Sequence, residues 1–143
     1  MGQSKPFRAT ALVVEDDPMQ REMISLLLEE SHFDVIECES AEAAEIVLRR
    51  MARKLALVMT DVSLAGAMDG VSLAHIARRS NPELEVIVTS GNPLPRPLPQ
   101  GVQYWVKPWA PLDVIRLAEQ TAYRLTKRLH DSPGGGDVRR SRH

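Results

Sequence analysis

Short apolar segments alternate along the chain with longer segments whose apolar residues recur every three or four positions. The short segments predict strands near Ala9–Val14, Asp34–Glu37, Leu55–Thr60, Leu84–Thr89 and Val102–Val106. Strands that alternate with helices are typical of βαβ units and a parallel sheet. The pattern therefore predicts an α/β fold with a five-stranded parallel sheet.

Helical periodicity and end signals place the helices between these strands. The predicted helices are Pro18–Glu30 with an Asp17 cap, a helix that begins after Ser40, Val71–Arg79, and Pro111 to about His130. The side chains predicted to face the sheet are Met23, Ile24, Leu27 and Leu28 in the first helix, Ala44, Val47, Leu48 and Met51 in the second, and Ile115, Ala118, Ala122, Leu125 and Leu129 in the last.

The segment between Thr89 and Val102 breaks the alternation. Where another helix is expected, every second residue from Pro93 to Pro99 is proline. Proline lacks a backbone donor and biases the residue before it away from the helical region. We predict that the fourth helix of such a fold is missing here and that a proline-rich loop replaces it.

Composition limits the class of protein. A length of 143 residues fits one domain, and a net charge of −1 with dispersed acids and bases argues against a general nucleic-acid surface. No apolar run approaches the roughly 20 residues that cross a bilayer. A single cysteine, Cys38, leaves no internal disulfide and suits a reducing compartment. We expect a cytoplasmic protein without membrane contact, with disordered ends at residues 1–6 and 131–143.

Charged or hydroxyl side chains follow four of the predicted strands. They are Glu15 and Asp16 after the first, Asp61 after the third, Thr89 at the end of the fourth and Lys107 after the fifth. Parallel strands lie about 4.8 Å apart and their carboxyl ends share one edge, so these groups are predicted to lie close together. Clustered carboxylates suit Mg²⁺. Thr89 and Lys107 would then bind the oxygens of a phosphoryl group carried on Asp61.

Each of these residues also has an ordinary structural explanation when taken alone. Asp61 fits a solvated turn residue, Thr89 a strand-end hydroxyl and Lys107 a solvated charge. Asp17 is better explained as a helix cap than as a ligand. The functional interpretation depends on several strands bringing compatible groups to one edge.

In order and spacing these motifs resemble the receiver domain of two-component response regulators, over residues 7–130. The matching motifs are Val13-Val14-Glu15-Asp16-Asp17-Pro18, Asp61, Met68-Asp69-Gly70, Thr89-Ser90 and Lys107-Pro108. The resemblance implies a flavodoxin-like, doubly wound sheet with strand order 2-1-3-4-5. It also implies that Asp61 accepts a phosphoryl group from a histidine kinase or a histidine phosphotransfer protein.

The same resemblance implies a metal site and a switch. The implied Mg²⁺ ligands are Asp16, Asp61 and the backbone carbonyl of Ser63, with Glu15 assisting directly or through water. Thr89 and Lys107 would contact the phosphoryl group, and Tyr104 would match the aromatic switch residue. The Lys107-Pro108 bond would be cis, as is common in that family.

Three departures from the family pattern bear on function. The turn from Asp61 to Gly70 is one residue longer than usual and lacks its proline, and Glu15 stands where Asp is more usual. The third is the proline-rich loop, which replaces part of the surface that reports phosphorylation. We hypothesise that output runs through Pro93–Pro99 together with Tyr104, Trp105 and the last helix.

Little sequence follows residue 130, so we expect a single-domain receiver that acts on an unknown protein target, without direct DNA binding and without being an enzyme for other substrates. A homodimer formed through the last helix is also possible.

The sequence leaves three other functions open. A Mg²⁺-dependent phosphatase would use Asp61 as nucleophile, but the haloacid dehalogenase pattern needs a second Asp where Ser63 stands. A flavin or nucleotide site needs a Ser/Thr/Gly-rich loop after the first strand, where Glu15-Asp16-Asp17 would repel phosphate. A degenerate receiver would be a constitutive binding module.

Overall fold

The computed structural model describes residues 8–130, so the expectations of disorder in residues 1–6 and 131–143 lie outside the described residues. The strands are β1 (Ala9–Val14), β2 (Phe33–Cys38), β3 (Leu57–Asp61), β4 (Glu85–Ser90) and β5 (Gln103–Val106). All four neighbouring pairs are parallel, and the order is β2-β1-β3-β4-β5. This confirms the predicted flavodoxin-like sheet.

Helices cover both faces of the sheet. They are α1 (Pro18–Glu30), α2 (Ala41–Met51), α3 (Gly70–Ser80) and α4 (Pro111–His130), with a short 3₁₀ turn at Ala52–Lys54. Helices α2 and α3 pack on one face of the sheet, and α1 and α4 pack on the other. None of the helices within residues 8–130 has both the length and the apolar character that crossing a bilayer requires.

Side-chain caps fix the starts of three helices. The Asp17 carboxylate accepts from the Met19 N–H at 3.0 Å, which confirms the predicted cap of α1. Ser40 caps α2 in the same manner, and Asp69 caps α3 by accepting from the Ser72 N–H. Because Asp69 is the cap, α3 begins at Gly70, one residue before the predicted start.

The structure corrects several sequence predictions. β3 begins at Leu57 and not at Leu55, because the 3₁₀ turn that precedes it closes with the Leu55 N–H bonded to the Ala52 carbonyl. Met23 is 41% exposed and Leu129 is 60% exposed, so neither faces the sheet. The buried residues of α4 are Val114, Leu117, Ala118 and Thr121. Arg128 pairs with Glu83, which precedes β4, and this contact shows that the last turn of α4 lies beyond the sheet.

Residues 91–102 form no helix, as the prolines predicted. The apolar residues between and after them, Leu94, Leu98 and Val102, pack against the core under α2 and α3. The proline-rich segment (residues 91–102) therefore covers the sheet face that a fourth helix would otherwise cover.

Candidate functional site

An ion pair at the carboxyl edge of the sheet forms the centre of the site. The Lys107 ammonium lies 3.0 Å from Asp61 Oδ2. Asp61 ends the fully buried central strand β3 and is itself 9% exposed, whereas Lys107 follows β5. The strand ends thus bring together two residues that are 46 positions apart in the sequence.

Two further acids lie beside this pair. One carboxylate oxygen each from Glu15, Asp16 and Asp61 lies within 4.8 Å of the others. Glu15 is buried at 3% exposure and accepts from the Asp17 N–H at 3.1 Å, whereas Asp16 is exposed. Three carboxylates without His or Cys suit a hard cation such as Mg²⁺.

The environment of Glu15 makes its ionisation costly. Burial, and to a lesser extent the nearby Asp61 carboxylate, raise the pKa of Glu15, whereas the Asp17 N–H and the Lys107 ammonium lower it; the net result is a pKa of about 7. Near neutral pH and without a cation, part of the population therefore holds a proton on Glu15. A cation bound here would displace that proton.

Thr89 lies directly beside Asp61. The two residues are register partners in the β3–β4 pair, and the Val62 N–H donates to the Thr89 carbonyl at 2.9 Å. Thr89 is buried at 3% exposure. The structure thus brings Thr89, Lys107 and the three acids to one edge, as the strand ends predicted.

Ser63 and Tyr104 are placed less centrally. Ser63 is exposed, two residues beyond Asp61, and it lines a cleft of about 370 Å³ between the loop after β3 and the proline-rich segment. Tyr104 pairs in register with Val88, so its side chain lies on the opposite face of the sheet from that of Thr89. Its hydroxyl donates to the carbonyl of Asn92 at 3.1 Å, and the Lys107-Pro108 bond is cis, as predicted.

Contacts from α2 and α3 hold the long loop after Asp61. The Glu42 carboxylate accepts from the backbone N–H groups of Ala67 and Met68, each at 3.0 Å. The Gly70 N–H donates to the Val62 carbonyl at 2.9 Å. These bonds fix a loop that lacks proline.

The proline-rich segment is tied to the start of α3. Arg96 Nη2 lies 2.7 Å from Asp69 Oδ1 and 3.0 Å from the Ser72 hydroxyl. Partial burial raises the pKa of Asp69, but the bonds from Arg96 and the Ser72 N–H outweigh it, and the net pKa is below the ordinary value. This ion pair links the segment to the helix that follows the Asp61 loop.

Sequence reasoning missed two residues of α1 that support the site. Gln20 accepts from the Lys107 ammonium at 3.2 Å. Arg21 donates to the backbone carbonyl of Glu15 at 2.8 Å and pairs with Glu37 at 3.3 Å. No motif marks either residue, and their position in the first turn after the acidic residues is the one signal in the sequence.

Comparison with known proteins gives a consistent result. The family model described as response regulator receiver domain matches residues 11–103. The transcriptional regulatory protein AruR of Pseudomonas aeruginosa is 31% identical over 137 residues, which cover 91% of this chain and 54% of that protein. The two-component response regulator ORR26 of Oryza sativa subsp. japonica is 30% identical over 132 residues, which cover 88% of this chain and 22% of that protein. The chain spans about half the length, or less, of these curated relatives.

Solved structures share the fold. The receiver domain of the hybrid histidine kinase CckA superposes with a TM-score of 0.69 at 26% identity and covers 79% of this chain and 98% of its own. A CheY-like receiver domain protein from Methanospirillum hungatei JF-1 gives a TM-score of 0.70 at 20% identity and covers 88% of this chain and 100% of its own. The overall fold of this chain is therefore that of known receiver domains.

Proposed function

This chain belongs to the response regulator receiver domain family, and on that premise we propose that Asp61 is its phosphoacceptor in a two-component phosphorelay. The donor is the phosphohistidine of a histidine kinase or of a histidine phosphotransfer protein. The observation that carries the proposal is the position of Asp61, 3.0 Å from Lys107 and within 4.8 Å of two further carboxylates.

The reaction transfers one phosphoryl group. Asp61 Oδ1, which is not the oxygen bonded to Lys107, attacks phosphorus. The P–N bond of the phosphohistidine breaks, and the imidazole leaves with the bonding electron pair and takes a proton from water. Lys107 and Thr89 bind the phosphoryl oxygens, so the acceleration of the transfer comes mainly from positioning the reacting groups and from stabilising the charge on the phosphoryl oxygens. The chain assists its own phosphorylation and later hydrolysis and is not proposed to turn over other substrates.

The acidic cluster fits a Mg²⁺ ion. Glu15, Asp16 and Asp61 offer one oxygen each, and the Ser63 carbonyl is the fourth proposed ligand. When bound, Mg²⁺ supplies positive charge that neutralises the oxygens of the transferring group.

Output passes through the proline-rich segment to a protein partner. Three contacts support this route: the Val62–Thr89 backbone bond, the Arg96–Asp69 ion pair and the bond from Tyr104 to Asn92. Together they join the Asp61 loop, the ends of β4 and β5, and residues 91–102. If hydrogen exchange and chemical shifts of residues 90–106 stay the same after phosphorylation, this route is wrong.

Intact-mass measurement tests the acceptor directly. The wild type is incubated with Mg²⁺ and a small acyl phosphate, beside Asp61→Asn and the exposed control Asp34→Asn. We expect one acid-stable, base-labile phosphoryl group on the wild type and the control, and none on Asp61→Asn. A wild type that stays unmodified under excess donor would remove the phosphoacceptor role, and equal modification of Asp61→Asn would move the acceptor elsewhere.

A further inference from the structure

The Lys107 ammonium has two close acceptors, and one of them is not an acid. It donates to Asp61 Oδ2 at 3.0 Å and to Gln20 Oε1 at 3.2 Å, whereas Glu15 lies farther away at 3.9 Å. Gln20 is half-buried in the first turn of α1, 87 positions before Lys107. The Gln20 amide therefore contacts the Lys107 ammonium from α1, a helix that carries none of the proposed Mg²⁺ ligands.

A second bond fixes the orientation of that amide. Gln20 Nε2 donates to Asp17 Oδ2 at 2.9 Å. An ammonium has donors only and an ionised carboxylate accepts only, so the amide oxygen must face Lys107 and the amide nitrogen must face Asp17. The bond from Gln20 lowers the pKa of Asp17, which keeps Asp17 ionised.

Asp17 is itself held by the backbone. Its other oxygen, Oδ1, accepts from the Met19 N–H at 3.0 Å as the cap of α1. A continuous chain of hydrogen bonds thus runs from the start of α1 through Asp17 and Gln20 to Lys107.

We propose that Gln20 is a positioning residue that holds the Lys107 ammonium at the phosphoryl site, an inference that rests on the proposed function above. Lysine is a point charge on a flexible stem of four carbons. When Asp61 carries a phosphoryl group, Lys107 exchanges its bond to Asp61 Oδ2 for a bond to a phosphoryl oxygen. The bond to Gln20 needs no exchange and stays in both states. It restricts the ammonium to the region where phosphoryl charge develops, which lowers the entropy cost of binding that charge.

Three variants separate this role from a purely structural one. Gln20→Met removes both side-chain bonds at nearly constant length. Gln20→Glu keeps an oxygen for Lys107 but places a second carboxylate against Asp17. Gln120→Met makes the same chemical change at an exposed position of α4. For each protein we would measure the rate of phosphoryl gain from a small acyl phosphate by intact mass, and Mg²⁺ affinity by tryptophan fluorescence.

We expect Gln20→Met to slow phosphoryl gain about tenfold, the size of one hydrogen bond to a charged group. Mg²⁺ affinity should stay at the wild-type value, because Gln20 contacts no proposed ligand of the ion. Gln20→Glu should retain more of the rate than Gln20→Met, and Gln120→Met should match the wild type.

Other outcomes overturn the inference in distinguishable ways. If Gln20→Met reacts at the wild-type rate while the wild type is phosphorylated, Gln20 has no positioning role. If Gln20→Glu is slower than Gln20→Met, or if Mg²⁺ affinity falls with the rate, Gln20 acts through the α1 cap and not through Lys107. A wild type that gains no phosphoryl group overturns the proposed function, and the role of Gln20 falls with it.

Discussion

A Cβ atom at Gly70 would lie 2.0 Å from the backbone carbonyl oxygen of Asp61. Real Cβ atoms do not approach an oxygen so closely, and the neighbour is backbone that has no rotamer to change. Gly70 also begins α3 and donates its N–H to the Val62 carbonyl. The first residue of α3 therefore packs directly against the strand end that presents the proposed phosphoacceptor.

Gly70→Ala should destabilise the protein and displace Asp61. We expect the free energy of unfolding to fall by about 1–3 kcal/mol, the usual cost of overpacking a tight contact, and phosphoryl gain to slow. Urea denaturation checks the first effect and intact mass checks the second. Gly91→Ala is the matched control, because its Cβ would meet Lys107 Cβ at an ordinary 3.9 Å. Equal stability of the two variants would contradict the predicted clash.

The pKa of Glu15 predicts how stability depends on pH without divalent cations. Folding raises this pKa from 4.5 to about 7, so the folded state binds a proton that the unfolded state has already lost between these values. This contribution to the free energy of unfolding is complete below the unfolded pKa and is lost as pH rises through about 7.

A pH series of urea denaturation in EDTA checks this sign. Glu15→Gln should be at least as stable as the wild type at pH 7.5 and should show a smaller decline between pH 5 and 7.5. In the wild type, saturating Mg²⁺ should reverse this decline of stability with rising pH, since the ion binds ionised Glu15 and stabilises the folded state more at the higher pH. The prediction fails if the EDTA slopes of wild type and variant coincide.

Ser25 is a buried residue of α1 whose hydroxyl has no hydrogen-bond partner among the described residues. An unsatisfied buried hydroxyl carries a desolvation penalty. Ser25→Ala should therefore leave the free energy of unfolding unchanged or raise it by about 1 kcal/mol. Thermal or urea denaturation checks this, with Ser72→Ala as the contrast, because the Ser72 hydroxyl accepts from Arg96. A clear loss of stability in Ser25→Ala would contradict the predicted gain from removing an unsatisfied hydroxyl.

Arg96 should control the mobility of the proline-rich segment more than global stability. The pair it makes with Asp69 is about half-exposed on the Arg96 side and is screened by solvent, so Arg96→Gln should lower the free energy of unfolding only slightly. Hydrogen exchange of residues 91–102 should nevertheless accelerate, since the segment loses its ion pair with the start of α3 and keeps only weaker contacts with this helix, such as that of His75 with the Pro97 carbonyl at 3.4 Å. Arg49→Gln, which removes a pair within α2, is the control. Unchanged exchange in Arg96→Gln would contradict this role.

Much of the fold is encoded locally. The side chains of Asp17 and Ser40 cap the helices that follow them, and the prolines at 93–99 exclude a helix through their own backbone restrictions. Each of these signals acts between residues a few positions apart, so it can be recognised before the chain is folded.

The acidic and basic strand ends were predictable for a related reason. Once parallel strands are assigned, their carboxyl ends must share an edge, and this brings Asp61, Thr89 and Lys107 together. The exposure of Met23 and Leu129 was not predictable, because helical periodicity defines a stripe but not where the sheet beneath it stops.

The sequence by itself thus determined the order of elements, the missing helix and the groups at the edge of the sheet. Only the tertiary structure decided which neighbours surround those groups. Gln20 bonds to Lys107, which lies 87 positions away in the sequence, and Arg96 bonds to Asp69, which lies 27 positions away. No sequence pattern at these residues predicts either contact. The raised pKa of Glu15 likewise depends on its burial. Periodicity and capping are properties of neighbours in sequence, whereas partners and desolvation are set by packing between distant segments.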